Sequence, residues 1–270
     1  MSKERTETGS TLSLTDRNAG SFEINDLYIT KGTDKIFCRV YSPKTAKKVP
    51  LVIFSHELGA TYVSGIPYGE ALAKEGIALV TFDFRNGSPN SLSGNDMTKM
   101  TPMTEADDLK AVLHEVSHWG FINTGKIVLL GASHGCFASI VTAVAAQAQV
   151  AGLILLYPGL VFLDDFHRQY KSLNEVPETF LFHDSFTFGR PYVESVWNYD
   201  IYSEMRKFTS PVLILHGDAD PWVPMEYADR AAVAFPNEKK VIVPGGEHGF
   251  SGKALDFAIN QIRHYLDDSN

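Results

Sequence analysis

Residues 126–141 have the sequence Lys-Ile-Val-Leu-Leu-Gly-Ala-Ser-His-Gly-Cys-Phe-Ala-Ser-Ile-Val. The apolar run at 127–130 predicts a strand, and the small-residue pattern at 137–146 predicts a helix soon after it. Between them, Ser133 is the centre of a Gly-x-Ser-x-Gly pattern, which is typical of a nucleophile elbow. Such a turn strains the serine backbone and leaves room only for glycine or a very small residue on either side. We therefore predict that Ser133 is a nucleophile; the alternative is a passive serine in a glycine-rich turn.

Apolar strands alternate with helices on both sides of this turn. The other predicted strands are 50–55, 77–83, 152–158, 211–216 and 240–243, and the other predicted helices are 66–75, 103–119, 225–234 and 253–266. Segments 22–29 and 35–41 alternate in polarity and predict an antiparallel hairpin. Thr104 and Asp107 resemble a capping box for the second helix. Continuous apolar strands separated by helices predict an α/β protein with a mostly parallel, doubly wound sheet and antiparallel N-terminal strands.

The alternation stops between residues 159 and 209, which are rich in aromatic side chains. We predict that 159–209 form a small cap inserted into a core made of 21–158 and 210–270. Residues 1–20 are polar and predict a flexible N-terminal arm. A cap over the carboxyl ends of the strands would give a pocket with aromatic walls. The candidates for orienting a substrate in that pocket, with no order among them, are Asp164, Asp165, His167 and Arg168.

Composition excludes several classes of function. The chain of 270 residues has a net charge of −8, which argues against a nucleic-acid partner. Cys38 and Cys136 are too few for a disulfide framework, and no spacing of ligand residues is typical of a metal site. No apolar run is long enough for a membrane span, and the polar first ten residues lack the core of a signal peptide. We expect a cytoplasmic protein that uses no metal or cofactor; whether it forms a homodimer is left open.

A serine hydroxyl needs a base beside it, and the base needs an acid that fixes its tautomer. After a nucleophile elbow, the acid and then the histidine are expected, each at the carboxyl end of a strand. Two predicted strands run into Gly-Asp-Ala-Asp-Pro-Trp and Pro-Gly-Gly-Glu-His-Gly. We assign Asp220 as the acid and His248 as the base. Asp218 is the alternative acid, but an aspartate directly after a His-Gly turn more often caps that turn.

The tetrahedral intermediate of acyl transfer needs two backbone N–H donors for its oxyanion. One is expected from His134, the residue after the nucleophile. The other is expected from the loop 56–60 after the first apolar strand, and we assign it to Leu58. A backbone donor places little demand on the side chain, so Leu58 is chosen from its position alone.

These motifs resemble those of the α/β-hydrolase superfamily from about residue 22 onward. A narrower resemblance is to the bacterial cinnamoyl (feruloyl) esterases. It is carried by Phe-Asp-Phe-Arg at 82–85, Met-Thr-Glu-Ala-Asp-Asp-Leu at 103–109, the segment 186–212, and Glu-His-Gly-Phe-Ser at 247–251. The resemblance implies the α/β-hydrolase fold and a cap that contacts an aromatic acid. It also implies a catalytic triad and an oxyanion pair, which fall on Ser133, Asp220 and His248, and on Leu58 and His134.

The chain departs from that family pattern in two places. His-Glu-Leu stands at 56–58, where His-Gly-Phe is usual, and Ala132 and His134 flank the serine, where the usual elbow is Gly-His-Ser-Gln-Gly. His134 either points toward the pocket and alters substrate choice, or is simply a side chain on the first turn of the helix. These differences leave the hydrolase chemistry intact and bear on hydroxycinnamate specificity.

The sequence therefore predicts an enzyme that hydrolyses small-molecule carboxylic esters, with small or aromatic acyl groups of the feruloyl or cinnamoyl type, through an acyl-enzyme on Ser133. A peptidase, amidase or thioesterase with the same triad is the first alternative, because the pocket rather than the triad selects the leaving group. The second alternative is a ligand-binding protein on the same scaffold without catalysis.

Overall fold

The structure is a computed structural model that describes residues 20–182 and 185–268. Residues 1–19, and with them nearly all of the predicted arm, lie outside the described residues. The strands of the described part are β1 (Phe22–Lys31), β2 (Asp34–Pro43), β3 (Val49–Ser55), β4 (Ala78–Phe82), β5 (Ile122–Ala132), β6 (Gly152–Leu156), β7 (Thr179–Phe182), β8 (Phe186–Gly189), β9 (Val212–Gly217) and β10 (Glu238–Val243). Its helices are α1 (Ile66–Lys74), α2 (Pro102–Val116), α3 (Gly135–Ala145), α4 (Val161–Gln169), α5 (Pro191–Glu194), α6 (Ile201–Met205), α7 (Met225–Ala234) and α8 (Gly252–Asp268).

Eight strands form one sheet in the order β1-β2-β4-β3-β5-β6-β9-β10. β2 pairs antiparallel with both β1 and β4, whereas all pairs from β4 to β10 are parallel. The predicted fold class, a mostly parallel sheet with antiparallel N-terminal strands, is confirmed. Because the parallel strands run in one direction, their carboxyl ends lie along one edge of the sheet, and the loops that follow them meet there.

Helices cover both faces of this sheet. In β3, Leu51 and Ile53 pack in one buried cluster with α2, α3 and α7, whereas Val52 and Phe54 pack in a second cluster with α1 and α8. Successive side chains of a strand point to opposite faces, so a continuous apolar strand buries residues against both helix layers. No helix of the described ranges is long and apolar enough to cross a membrane.

α2 begins at Pro102, before the first residue of the predicted capping box, Thr104. Thr101 is the residue that caps it: the Thr101 hydroxyl accepts a hydrogen bond from Thr104 N at 3.0 Å, and the Thr104 hydroxyl accepts one from Thr101 N at 2.9 Å. The predicted pair of Thr104 and Asp107 is therefore wrong. Pro102 explains the difference, because proline is favoured in the first helical position, where no N–H is needed.

Between β6 and β9 the chain leaves the sheet and forms α4, a hairpin of β7 and β8, α5 and α6. Aromatic rings pack tightly inside this part of the chain. Tyr192 stacks on Phe188 with ring centroids 4.4 Å apart, and the Phe166 ring contacts those of Phe180 and Phe182. These residues belong to the same buried cluster as α2 and α3, so the segment continues the core on that face of the sheet.

Candidate active site

Ser133 lies in the turn between β5 and α3, at the carboxyl edge of the sheet. Its φ is +51°, a left-handed conformation that is strained for serine. Backbone hydrogen bonds hold it there: Ser133 N donates to Leu156 O at 2.9 Å. Ser133 O accepts from Cys136 N at 3.1 Å and from Gly159 N at 3.0 Å. The turn thus has the strained backbone that the Gly-x-Ser-x-Gly pattern predicts.

Both glycines of the pattern lie where a side chain would collide with backbone. A Cβ on Gly131 would lie 2.6 Å from Cα of Cys136, and a Cβ on Gly135 would lie 2.5 Å from O of His56. The second contact brings the start of α3 against the loop that follows β3. Gly135 therefore allows the elbow to approach residues 56–58, which we predicted to supply an oxyanion donor.

The structure brings the three predicted side chains together. His248 Nε2 lies 2.8 Å from Ser133 Oγ, and His248 Nδ1 lies 2.9 Å from Asp220 Oδ2. Asp220 follows β9 and His248 follows β10, so loops at one edge of the sheet create the contact. In this row, a histidine can accept the serine proton at one nitrogen while a carboxylate holds the proton on the other.

Asp220 is held as a charged carboxylate. Its Oδ1 accepts hydrogen bonds from Trp222 N at 2.9 Å and Val223 N at 3.0 Å. Burial, which leaves the side chain 1% exposed, works to raise the pKa of Asp220, but the hydrogen bond from His248 and the two backbone donors outweigh it. The pKa therefore lies below its usual value, and the negative charge can stabilise a protonated His248.

Asp218, the alternative acid, has a different partner. Its Oδ1 accepts a hydrogen bond from Gly245 N at 2.6 Å, and the residue is exposed. Gly245 belongs to the turn after β10 that leads to His248. Asp218 therefore ties two loops together by capping a turn, which is the role that turn chemistry favoured for it.

His216, the last but one residue of β9, contacts this row although the sequence analysis gave it no role. Its Nε2 donates to Val223 O at 3.0 Å and lies 3.6 Å from Asp220 Oδ2. Burial lowers the pKa of His216, so the ring is neutral. His216 thus closes the turn that carries Asp220. The only sequence signal for it is its place at the carboxyl end of a parallel strand.

Tyr157 is a second residue that contacts this site and was not predicted from the sequence. It directly follows β6 and has a φ of +39°, which is strained for tyrosine. Its ring packs edge-on against the His248 ring, with centroids 4.9 Å apart, and its hydroxyl donates to Glu57 Oε1 at 2.8 Å. Tyr157 therefore connects the loop after β3 to the histidine.

Leu58 and His134, whose backbone N–H groups we predicted as the oxyanion donors, line the cavity that contains Ser133. Neither donates to a protein acceptor within residues 20–182 and 185–268. A Cβ on Gly159 would lie 2.8 Å from Ser133 Oγ and 3.1 Å from His134 N, so the glycine leaves both atoms accessible. Unpaired N–H donors beside a nucleophile are what an oxyanion hole requires.

The cavity above Ser133 has a volume of about 330 Å³. Its large apolar side chains come mainly from the inserted segment and the loop after β9: Phe162, Phe182, Phe186 and Trp222. Of the four polar residues predicted to orient a substrate, Asp165 lines it. Asp164 instead pairs with Arg230, and Arg168 with Asp165 itself. Among the described lining residues there is no Lys or Arg.

The His134 side chain is buried at the N-terminal end of α3. It is 4% exposed and lines the cavity. Its Nε2 lies 2.5 Å from the Tyr192 hydroxyl, and its Nδ1 lies 2.9 Å from Glu105 Oε2. The imidazole therefore lies between α2 and α5.

Solved structures share this architecture. Est1E from Butyrivibrio proteoclasticus, solved with ferulic acid bound, superposes with a TM-score of 0.80 at 22% sequence identity, over 90% of this chain and 98% of Est1E. Alpha/beta hydrolase domain-containing protein 10 from mouse superposes with a TM-score of 0.73 at 17% identity, over 91% of this chain and 99% of that protein. The chain has the α/β-hydrolase fold. The fold that the resemblance to this superfamily and to the feruloyl esterases implied is thereby confirmed.

Sequence comparison adds two further similarities. The uncharacterized protein YfhR of Salmonella typhimurium (strain LT2) is 27% identical over 226 residues, which is 76% of this chain and 67% of YfhR. The model of the family described as TAP-like protein matches residues 191–270. That range includes Asp220 and His248, so the family match covers two of the three loops that meet at Ser133.

As a test of the predicted nucleophile Ser133, we expect Gly159→Ala to lower kcat for p-nitrophenyl acetate about 100-fold without unfolding the core, because misplacement of reacting groups by about 1 Å has effects of that size. The new Cβ would press on Ser133 Oγ and on the N–H of His134. Steady-state kinetics with p-nitrophenyl acetate measure the effect. Gly120→Ala is the matched control, since no atom lies within 4 Å of its Cβ position. Equal kcat for both variants would contradict the expected crowding.

Proposed function

We propose that this protein is a serine hydrolase that cleaves carboxylic esters, with Ser133, His248 and Asp220 as its catalytic triad. The observation that carries the proposal is the hydrogen-bonded row from Ser133 Oγ through His248 to Asp220. A serine hydroxyl is a poor nucleophile at neutral pH, and such a row is the arrangement that activates it.

In the first half-reaction, Ser133 Oγ attacks the carbonyl carbon of the ester while His248 Nε2 accepts the hydroxyl proton. The carbonyl oxygen becomes an oxyanion, which the N–H groups of Leu58 and His134 stabilise. As the tetrahedral intermediate collapses, the bond to the alkoxy oxygen breaks. His248 gives its proton to that oxygen, the alcohol leaves, and the acyl group remains on Ser133.

In the second half-reaction, water attacks the acyl-enzyme and gives one proton to His248 Nε2. The second tetrahedral intermediate collapses, the proton passes to Ser133 Oγ, and the carboxylic acid is released. Throughout, the Asp220 carboxylate accepts the hydrogen bond from Nδ1, so that Nε2 remains the nitrogen that exchanges protons with substrate. No step requires a metal or an organic cofactor.

We assign residues 159–209 as a cap over the acyl pocket, inserted into a core of 21–158 and 210–270. Support comes from Phe162, Phe182 and Phe186, which belong to this segment and line the cavity. Aromatic walls suit a small or aromatic acyl group. The Glu57 carboxylate at the cavity, with no Lys or Arg among the described lining residues, disfavours an anionic substrate. The ferulic acid bound to Est1E is of the same aromatic class.

A panel of substrates tests the ester assignment. The wild-type protein is assayed in EDTA with p-nitrophenyl acetate and butyrate, methyl ferulate, an acyl p-nitroanilide and an acyl thioester. We expect hydrolysis of the esters, with the highest kcat/KM for an aromatic acyl group and the lowest for the anilide. Preference for the thioester or the anilide would replace the assignment with a thioesterase or an amidase. Binding of esters without turnover would favour a binding protein.

A further inference from the structure

Three buried polar side chains from three elements meet beside the elbow. The hydroxyl of Tyr192, in α5, lies 2.5 Å from His134 Nε2, and His134 Nδ1 lies 2.9 Å from Oε2 of Glu105, in α2. Exposure is 0% for Tyr192, 4% for His134 and 1% for Glu105. The proposed mechanism uses only the backbone N–H of His134, so the imidazole and its two partners have no part in it.

The direction of the hydrogen bond depends on the tautomer of His134. The Glu105 carboxylate lies 2.9 Å from Nδ1 and favours the ring hydrogen on that nitrogen, although the contact lacks hydrogen-bond geometry. Nε2 is then the acceptor, and the Tyr192 hydroxyl, which burial keeps protonated by raising its pKa, donates to it. A buried polar atom without a partner is strongly unfavourable, so Tyr192 and His134 hold each other in place.

Tyr192 also lies at the centre of the aromatic packing of the inserted segment. Its ring stacks on Phe188 at an interplanar angle of 15° and contacts the edge of Phe162 at 6.1 Å. Phe162 lies beside the His134 ring at 4.9 Å and lines the cavity. Close-packed rings do not move independently, so a displacement of Tyr192 is transmitted to the wall of the acyl pocket.

We propose that the hydrogen bond from Tyr192 to His134 positions the inserted segment over Ser133 and thereby makes the pocket selective for an aromatic acyl group. This inference rests on the proposed ester hydrolysis and deepens it. Tyr192 and His134 determine acyl specificity, and the Glu105 carboxylate is a positioning group that favours the ring tautomer able to accept from Tyr192. An acetyl group is too small to depend on the aromatic wall, so its hydrolysis is insensitive to this bond.

Tyr192→Phe removes the hydroxyl and keeps the ring. The test compares kcat/KM for p-nitrophenyl ferulate and p-nitrophenyl acetate, which have the same leaving group. We expect the ratio of ferulate to acetate to fall about fivefold to tenfold, which corresponds to the loss of one buried hydrogen bond. An unchanged ratio, or an equal fall for both esters, would overturn the inference.

Two substitutions of His134 distinguish the roles of its two ring nitrogens. His134→Gln places a polar atom near the Nε2 position, where it can still bond Tyr192, whereas His134→Asn reaches only the Nδ1 position toward Glu105. We expect Asn to lower the ratio as much as Tyr192→Phe, and Gln to lower it less. Combining His134→Asn with Tyr192→Phe adds no further loss, because both remove one interaction. Equal ratios for Gln and Asn, or additive losses, contradict the proposal.

Tyr265→Phe is the control for a general loss of stability. The Tyr265 hydroxyl is also buried, accepts from Leu153 N at 3.1 Å and donates to Pro211 O at 2.7 Å, in the cluster on the opposite face of the sheet. We expect a lower Tm and an unchanged substrate ratio. If the wild type hydrolyses neither ester, the proposed function fails. If it hydrolyses both and Tyr192→Phe keeps the ratio, only the present inference fails.

Discussion

Replacing Ser133 with alanine is expected to lower kcat for p-nitrophenyl esters about 10⁴-fold to 10⁶-fold, the range for loss of a serine nucleophile. Without the hydroxyl no acyl-enzyme forms, and the residual rate comes from substrate binding and the two N–H donors alone. Steady-state kinetics measure the loss. Intact mass after treatment with a fluorophosphonate probe measures the nucleophile directly: the wild type gains one adduct and Ser133→Ala gains none.

Ser139→Ala provides a matched control for this result. Ser139 is buried in α3, six residues beyond the nucleophile, and its hydroxyl has no hydrogen-bond partner within the described part of the chain. The variant therefore removes a serine hydroxyl from the same helix without touching the row of Ser133, His248 and Asp220. We expect normal kcat and normal labelling. An adduct that persists in Ser133→Ala would assign the nucleophile to another residue.

Local patterns in the sequence predict the strands and helices that position the site. The helix predicted at 225–234 has the same bounds as α7, and the helix predicted at 66–75 ends one residue beyond α1, just before Gly76 with its φ of +84°. Buried parallel strands are continuous apolar runs, and helix ends have glycine or proline signals, so both can be found without tertiary information. The loops that carry Ser133, Asp220 and His248 were predictable for this reason.

The contacts around these strands and helices were not predictable, because their partners lie far apart in the chain. His134 and Tyr192 are 58 residues apart, and Tyr157 and Glu57 are 100 residues apart. A polar residue in a sequence does not indicate which distant group will pair with it. The sequence therefore could not show that the His134 side chain contacts Tyr192 and Glu105.

The acid that pairs with His248 was only partly predictable from the sequence. Chain order and strand position restrict it to Asp218 or Asp220, and turn chemistry favours Asp220. The structure adds the distances: Asp220 Oδ2 lies 2.9 Å from His248 Nδ1, and Asp218 Oδ1 accepts from Gly245 N. Sequence reasoning thus narrows the choice to two residues, and the packing of the loops after β9 and β10 supplies a physical reason for one.

Asp220→Asn is expected to lower kcat about 10⁴-fold, the size of effect that follows when the histidine takes the wrong tautomer. Asp218→Asn is the matched control, since it makes the same change two residues away. An asparagine oxygen at position 218 can still accept from Gly245 N, so this variant should keep nearly full activity. Steady-state kinetics with p-nitrophenyl butyrate, together with Tm for each variant, measure the difference.

The contacts of Asp220 explain why so small a change has so large an expected effect. Oδ1 accepts from Trp222 N and Val223 N, so an asparagine must keep its carbonyl oxygen there and turn its NH₂ toward His248. Nδ1 must then accept that donor, which moves the ring proton to Nε2, where it faces Ser133 Oγ. In that tautomer Nε2 has no lone pair to accept the serine proton, and the lone pair on Nδ1 faces residue 220. Loss of activity in Asp218→Asn with retention in Asp220→Asn would transfer the acid role to Asp218.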